Sequence, residues 1–64
     1  MENMIDVRQL LKRYNSFIYT GDRKQDLHLM LDELKHLYHN QLILTKDYQS
    51  ALLIIKRELR HLNV

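Results

Sequence analysis

The sequence contains no cysteine and no proline, and it has a single glycine among its 64 residues. Without cysteine no disulfide can form, and nothing points to an oxidising compartment. Proline and glycine are the residues that helices tolerate least, so their scarcity favours a chain that is mostly continuous helix. The length allows one small domain, which we place at residues 1–64.

Long apolar runs and a strong charge of one sign are missing as well. The longest apolar run covers residues 51–55, whereas a membrane-spanning helix needs about 20 apolar residues. The amino-terminal segment lacks the basic start and apolar core of a secretory signal. We therefore expect a soluble cytoplasmic protein without a membrane partner. The net charge of +2 permits a basic patch without requiring one.

Three segments carry apolar residues at the spacing of one helical face. They predict helices over about residues 6–15, 23–39 and 46–62. The three apolar stripes consist of Val7, Leu10, Leu11 and Tyr14, then Leu27, Met30, Leu31, Leu34, Leu37 and Tyr38, then Tyr48, Ala51, Leu52, Ile55, Leu59 and Leu62. Three amphipathic helices with short connections predict an all-α fold, a small three-helix bundle.

Polar residues predict where these helices begin and end. Asp6 and Asp22 are each followed three residues later by glutamine, which is the spacing of a capping box. Thr45 is expected to cap the third helix, and Asn40 is expected to end the second helix in the left-handed conformation.

The segments between the helices also contain apolar residues. In the first connection, FIYTGDR, Gly21 permits a turn, and Phe17 or Ile18 is expected to pack inward. In the second connection, residues 42–44 are expected to pack under the helix ends.

The chain resembles the YqgQ-like family of short bacterial proteins over nearly its whole length. The resemblance is carried by Gly21-Asp22-Arg23 and by the MLDELxxLY pattern of residues 30–38 at their relative spacing. Further matching positions are Asp6, Val7, Leu10, Leu11, Lys12, Tyr14, Tyr19, Lys56 or Arg57, Glu58 and Leu59. The resemblance implies a compact three-helix protein of Gram-positive bacteria without an established enzymatic activity. It also implies single-stranded nucleic acid as a possible ligand.

Residues that could support catalysis or bind a metal are sparse. Neither serine lies in a nucleophile motif, and a bundle of this size has little room for a substrate pocket. His28, Asp32, His36 and His39 share one face of the second helix, where a pair four residues apart could chelate a divalent ion. One helix rarely supplies a closed site, so a solvated polar face is the preferred interpretation. We expect no enzyme, no metal, no cofactor and no small-molecule substrate.

Basic residues interleaved with aromatic residues favour nucleic-acid binding. Aromatic faces stack on unpaired bases while cations contact phosphates. Cations surround the aromatic residues of segment 12–24, and further cations lie at residues 56–60. The predicted site residues are Lys12, Arg13, Arg23, Arg57 and Arg60 for phosphate, and Tyr19 for stacking. We therefore predict binding of single-stranded DNA or RNA without strict sequence preference.

The competing hypothesis is a protein–protein interaction module or a homodimer. Leu29 and Leu53 lie on the presumed outer faces of their helices, and Ile54 flanks the third apolar stripe. Apolar residues on the surface of a small domain can mark an interface. Self-association would also support a domain whose own core is small.

Overall fold

A computed structural model describes residues 1–62, and it confirms the all-α three-helix fold. The helices are α1 (Met4–Arg13), α2 (Arg23–His39) and α3 (Thr45–Leu62). Helix α2 has the predicted bounds, whereas α1 begins and ends two residues earlier and α3 begins one residue earlier than predicted. The largest contact joins α2 and α3, and α1 packs against both.

Helix α1 begins at a different cap from the one that its sequence predicts. The side chain of Asn3 accepts a hydrogen bond from the Asp6 amide at 3.2 Å, and the Asp6 carboxylate accepts one from the Glu2 amide at 2.8 Å. Asn3 is therefore the N-cap, and Asp6 is the acid of the first turn that reaches back. The prediction that Asp6 caps the helix with Gln9 is wrong, because both Asn3 and Asp6 have capping chemistry and only the backbone path distinguishes them.

The N-cap of α2 is the predicted one. The Asp22 carboxylate accepts hydrogen bonds from the backbone amides of Lys24 at 3.0 Å and Gln25 at 3.3 Å. Asp22 has extended backbone angles, as a cap residue should, and its carbonyl accepts the amide of Asp26 at 2.9 Å. This cap accounts for the agreement between the predicted and observed start of α2.

The connection between α2 and α3 differs from the prediction in three details. The left-handed residue is Gln41, with a φ of 59°, and not Asn40, whose φ is −88°. The Leu44 carbonyl accepts the Tyr48 amide at 2.9 Å, which places Leu44 rather than Thr45 at the cap position of α3. The expectation that residues 42–44 pack under the helix ends is met only by Ile43, whereas Leu42 is 50% exposed and Leu44 is 70% exposed.

In α3 the predicted stripe is partly wrong, because Leu62 is exposed and Leu52 lies outside the core, while Ile54, which was expected only to flank the stripe, is buried. The core otherwise follows the predicted apolar stripes and adds Ile43 from the second connection. Its buried members are Val7, Leu10, Leu11, Leu27, Met30, Leu34, Leu37, Ile43, Ala51, Ile54 and Ile55. Tyr38 and Tyr48 stack face to face with ring centroids 4.3 Å apart, which joins the end of α2 to the start of α3. Ile54 is a core residue with 5% exposure, whereas its neighbour Leu53 is 69% exposed.

Residues 15–22, here called the strap, run back along α2 instead of making a tight turn. The Ser16 hydroxyl donates to Glu33 in the middle of α2 at 2.9 Å, and Thr20 donates to Asp26 in its first turn. The strap therefore lies antiparallel to α2. The Tyr14 hydroxyl, at the end of α1, donates to the Leu42 carbonyl beyond the end of α2 at 2.7 Å. Helix α1 consequently runs in broadly the same direction as α2.

The adjacent pair Ile54 and Leu53 tests the packing of α3. Ile54→Ala should lower the free energy of unfolding by about 2–5 kcal/mol, because it deletes a buried side chain and leaves a cavity. The control Leu53→Ala should change it by less than about 0.5 kcal/mol, because that side chain faces solvent. Urea denaturation followed by circular dichroism measures both values. Equal losses from the two variants would contradict the orientation of α3.

Candidate functional site

The strap presents two aromatic rings to solvent. Phe17 is 69% exposed and Tyr19 is 86% exposed, whereas Ile18 between them packs against the core. This alternation is that of an extended chain, in which successive side chains point to opposite sides. The expectation that Phe17 or Ile18 packs inward is met by Ile18.

A buried carboxylate anchors the strap at its second half. The amide and the hydroxyl of Thr20 both donate to the Oδ1 atom of Asp26, each at 2.7 Å, and Asp26 is only 4% exposed. The hydroxyl hydrogen bond is the main cause that lowers the pKa of Asp26, and burial opposes it. The Thr20 amide and the nearby charges of Arg8 and Arg23 lower this pKa further. Asp26 therefore carries its charge in the folded protein and holds Thr20 against α2.

Gly21 allows the chain to pass from the strap into α2. Its φ of +89° lies in the left-handed region, which disfavours residues with a side chain. A Cβ atom at this position would contact nothing within 4 Å, so the backbone angle alone requires glycine. The cap residue Asp22 follows directly. The predicted role of Gly21 in a change of chain direction is therefore consistent with the structure.

The strap and α1 form the two sides of an open cleft with a volume of about 300 Å³. Helix α1 supplies Arg8 and Lys12, which lie one turn apart, and Met30 of α2 contributes from beneath. The complete lining consists of Arg8, Leu11, Lys12, Ser16, Phe17, Ile18, Tyr19 and Met30. Two cationic side chains and two exposed rings therefore share one concave surface.

The six predicted site residues do not form a single surface. Lys12 and Tyr19 line the cleft. Arg13 lines a separate depression together with Asp6 and Asp47. Arg23 is engaged in an ion pair, because its guanidinium lies 3.1 Å from the Glu58 carboxylate of α3.

The other two predicted residues lie on α3. Arg60 lines a shallow groove with Leu53, Lys56 and Leu59, and Arg57 is an exposed residue of the same helix. No residue that lines this groove also lines the cleft. The structure thus brings together two of the six predicted residues and distributes the others over other parts of the surface.

Sequence reasoning did not select Phe17 and Arg8 for the site. The signal for Phe17 is the run SFIYT, whose β-branched and aromatic residues suit an extended segment and place residues 17 and 19 on the same side. The signal for Arg8 is its spacing of four residues from Lys12. Both signals are short, and neither shows that the strap lies beside α1.

Two features considered in the sequence, a metal site and a membrane-spanning helix, can be examined in the residues that the structure describes. Within residues 1–62, no three histidine or acidic side chains gather as a metal site would require. His36, one of the residues weighed for such a site, contacts the side-chain amide of Asn40 at 3.2 Å. In the same range, no helix has the length and apolar character needed to cross a membrane.

The sequence comparison identifies relatives of this chain. The model of the YqgQ-like family matches residues 1–61. The chain belongs to the YqgQ-like family. It is 41% identical over 59 residues to Uncharacterized protein YqgQ of Bacillus subtilis (strain 168), an alignment that covers 92% of this chain and 83% of that relative. The family resemblance inferred from the sequence motifs is confirmed, and the region matched by the YqgQ-like model includes the whole strap and all of α2.

The lowered pKa of Asp26 predicts an acid-dependent loss of stability. Because the folded pKa lies below the ordinary value of 3.8, the carboxylate stabilises the fold fully above about pH 4, and this contribution is lost as the pH falls through the folded pKa. Asp26→Asn should lower the melting temperature at pH 7 and weaken its dependence on pH below about 4. Thermal melts at several pH values measure both effects.

The matched control for this prediction is Asp32→Asn, which changes an exposed carboxylate on the same helix. It should leave the melting temperature at pH 7 close to that of the unaltered protein. A loss in Asp32→Asn as large as that in Asp26→Asn would show that the anchor has no special role.

Proposed function

We propose that this protein binds single-stranded nucleic acid through the cleft between α1 and the strap. The observation that carries the proposal is the exposure of Tyr19 and Phe17 on a surface shared with Arg8 and Lys12. A small domain normally buries its large aromatic residues, so two neighbouring exposed rings favour a ligand with flat apolar faces. The adjacent cations favour a ligand that is also negatively charged. Unpaired nucleotides combine both properties.

The physical chemistry of the cleft supports binding without strict sequence preference. Every base has a flat face, and a base stacked on an aromatic side chain contributes about 1–3 kcal/mol whatever its identity. Arg8 and Lys12 would contact phosphates, which are the same at every position of the strand. The arrangement favours a general binder of unpaired strands.

The same observations support a role in binding rather than in catalysis. The cleft is open and shallow, and its lining includes no carboxylate, histidine or cysteine that could transfer a proton or attack a substrate. The proposal therefore assigns no enzymatic activity and no cofactor. It places the protein in the cytoplasm, where unpaired nucleic acid is found.

Two variants of the cleft test this function. Lys12→Ala should weaken binding of a labelled single-stranded oligonucleotide and reduce the slope of log affinity against log salt by about 0.7, as expected for one lost phosphate contact. Tyr19→Ala should weaken binding about 5- to 150-fold, equivalent to about 1–3 kcal/mol, and leave the slope unchanged. Fluorescence anisotropy at several salt concentrations measures affinity and slope.

Arg13→Ala is the matched control, because Arg13 follows Lys12 in the sequence but lies outside the cleft. It should alter affinity and slope less than Lys12→Ala does. The double variant Arg57→Ala/Arg60→Ala examines the predicted cations of α3. If it weakened binding more than the two cleft variants, the strand would lie on α3 and the proposed location would be wrong. If the unaltered protein bound no oligonucleotide at low salt, the function itself would be refuted.

The outer face of α3 favours a second candidate function, the binding of an acidic amphipathic helix. Leu53 projects into solvent between Gln49, Lys56 and Arg60, and shallow grooves on either side of it are lined by Leu52 and Leu59. The charged residues lining these grooves are all cations. An apolar side chain surrounded by positive charge is complementary to a helix with a leucine stripe and flanking glutamates.

A synthetic peptide helix with a leucine stripe and flanking glutamates tests this second candidate. It should bind the unaltered protein and bind Lys56→Glu/Arg60→Glu at least about 10-fold more weakly, because the charges then repel. The same peptide with lysines in place of glutamates is the control and should not bind. Titration calorimetry measures the affinities. If neither peptide bound, and a sizing column showed a concentration-dependent dimer that Leu53→Lys disrupts, a second copy would occupy the face instead.

A further inference from the structure

We infer that Phe17 and Tyr19 form a clamp that holds one unpaired base between their rings. This inference rests on the proposed function and narrows its ligand to a nucleotide with both base faces accessible. The two rings belong to alternate residues of the extended strap and line the same cleft. A base that entered between them would stack on a ring at each of its two faces.

The spacing of the two residues matches the thickness of such a stack. An extended chain advances about 3.3 Å per residue, so residues two apart are separated by about 6.6 Å. Successive bases in a stacked strand are about 3.4 Å apart, so a ring, a base and a second ring together need about 6.8 Å. The two distances agree to within the usual variation of strand geometry. A spacing of one residue would place the rings on opposite sides, and a spacing of four residues would leave a gap of about 13 Å.

The two rings do not stack on each other in the structure. Among the described residues, aromatic ring contacts join Tyr38 to Tyr48 and Tyr38 to His39, and none joins Phe17 to Tyr19. Both side chains are largely exposed, so a base can approach them from solvent. No rearrangement of the core is needed to admit it.

The clamp is also held in place before a ligand arrives. Ser16 precedes Phe17 and donates to Glu33 at 2.9 Å, while Thr20 follows Tyr19 and donates to Asp26 at 2.7 Å. Ile18, between the two rings, packs against the core. The backbone that carries the rings is thus fastened on both sides and in the middle. A preorganised clamp loses less conformational entropy when it binds than a mobile loop would.

This geometry distinguishes an unpaired base from a paired one. In a regular duplex both faces of each base are covered by its neighbours, so the rings could enter only by separating stacked pairs, which opposes binding. The base of a single-nucleotide bulge has no pairing partner, so bringing it out of the helix and exposing its two faces requires less free energy than doing so for a paired base. We therefore expect the clamp to bind a bulged duplex even though most of that duplex is paired.

A set of matched blunt-ended duplexes, each formed from two strands without a loop, tests the clamp. The first is fully paired, the second carries one bulged 2-aminopurine, and the third carries an abasic nucleotide at the bulge. The bulged 2-aminopurine duplex should bind at least about 10-fold more tightly than the other two, because only its unpaired base can stack on both rings. The fluorescence of 2-aminopurine should be quenched on binding, because the base becomes stacked.

Variants of the two rings show whether both contact the same base. With only one unpaired base present, Phe17→Leu and Tyr19→Leu should each weaken binding of the bulged duplex by about 5-fold or more. If the rings served different bases, only one of the two variants would have an effect, and the clamp would be refuted. Phe17→Tyr and Tyr19→Phe keep a ring at each position and should retain the affinity. Because both residues are exposed, all four variants should keep the unaltered circular dichroism spectrum.

The outcomes separate this inference from the proposed function. If the protein bound a single-stranded oligonucleotide with the expected salt dependence, yet bound the bulged and fully paired duplexes equally, the clamp would be wrong and the general function would stand. If it bound neither single strands nor the bulged duplex, both would fail. Preference for the abasic bulge over the 2-aminopurine bulge would also overturn the clamp, because it would show that phosphates alone are recognised.

Discussion

Asp26 holds the strap against α2, and the candidate site depends on that contact. Its buried carboxylate accepts two hydrogen bonds of 2.7 Å from Thr20, and it lies in the first turn of α2, where the helix dipole favours negative charge. The hydrogen bond from Ser16 to Glu33 fastens the other end of the same segment. Between these two points the chain is extended, so its side chains alternate between core and solvent. The positions of Phe17 and Tyr19 therefore follow from two polar contacts that flank them.

The strap has a structural role in addition to its candidate function. Helix α1 is the shortest of the three helices, and it makes smaller contacts with its neighbours than α2 and α3 make with each other. Ile18 adds an apolar side chain to the core from the strap. The inward side of the strap thus covers part of the core, and its outward side carries the exposed rings. A change that detaches the strap would affect stability and the candidate site together.

Much of this structure could be predicted because its signals are local. The bounds of α2 follow from the Asp22 cap and a continuous apolar stripe, and both depend on residues within a few positions of one another. The predictions failed where neighbouring residues have similar chemistry. Asn3 and Asp6 can both cap a helix, so the sequence does not decide between them. Asn40 is the residue type that favours the left-handed conformation, but the chain takes that conformation one residue later, at Gln41.

The candidate site was harder to predict than the fold. Lys12 and Tyr19 were selected on composition, and they do lie together, but the same reasoning selected Arg23, which is paired with Glu58. A basic residue close to an aromatic one in sequence need not be close to it in space. Asp26 did not stand out in the sequence at all, because its partner Thr20 becomes a partner only when the strap folds back along α2.

The sequence by itself determined the three helices, their apolar faces, the cap at Asp22 and membership of the YqgQ-like family. These features depend on helical periodicity and on short motifs, which are encoded by residues close together in the chain. Only the tertiary structure decided the direction of the strap, the exposure of its rings and the separation of the cations. Those features rest on contacts such as Ser16 with Glu33, 17 residues apart, and Arg23 with Glu58, 35 residues apart. Such pairs meet only after the helices have packed, so no local pattern records them.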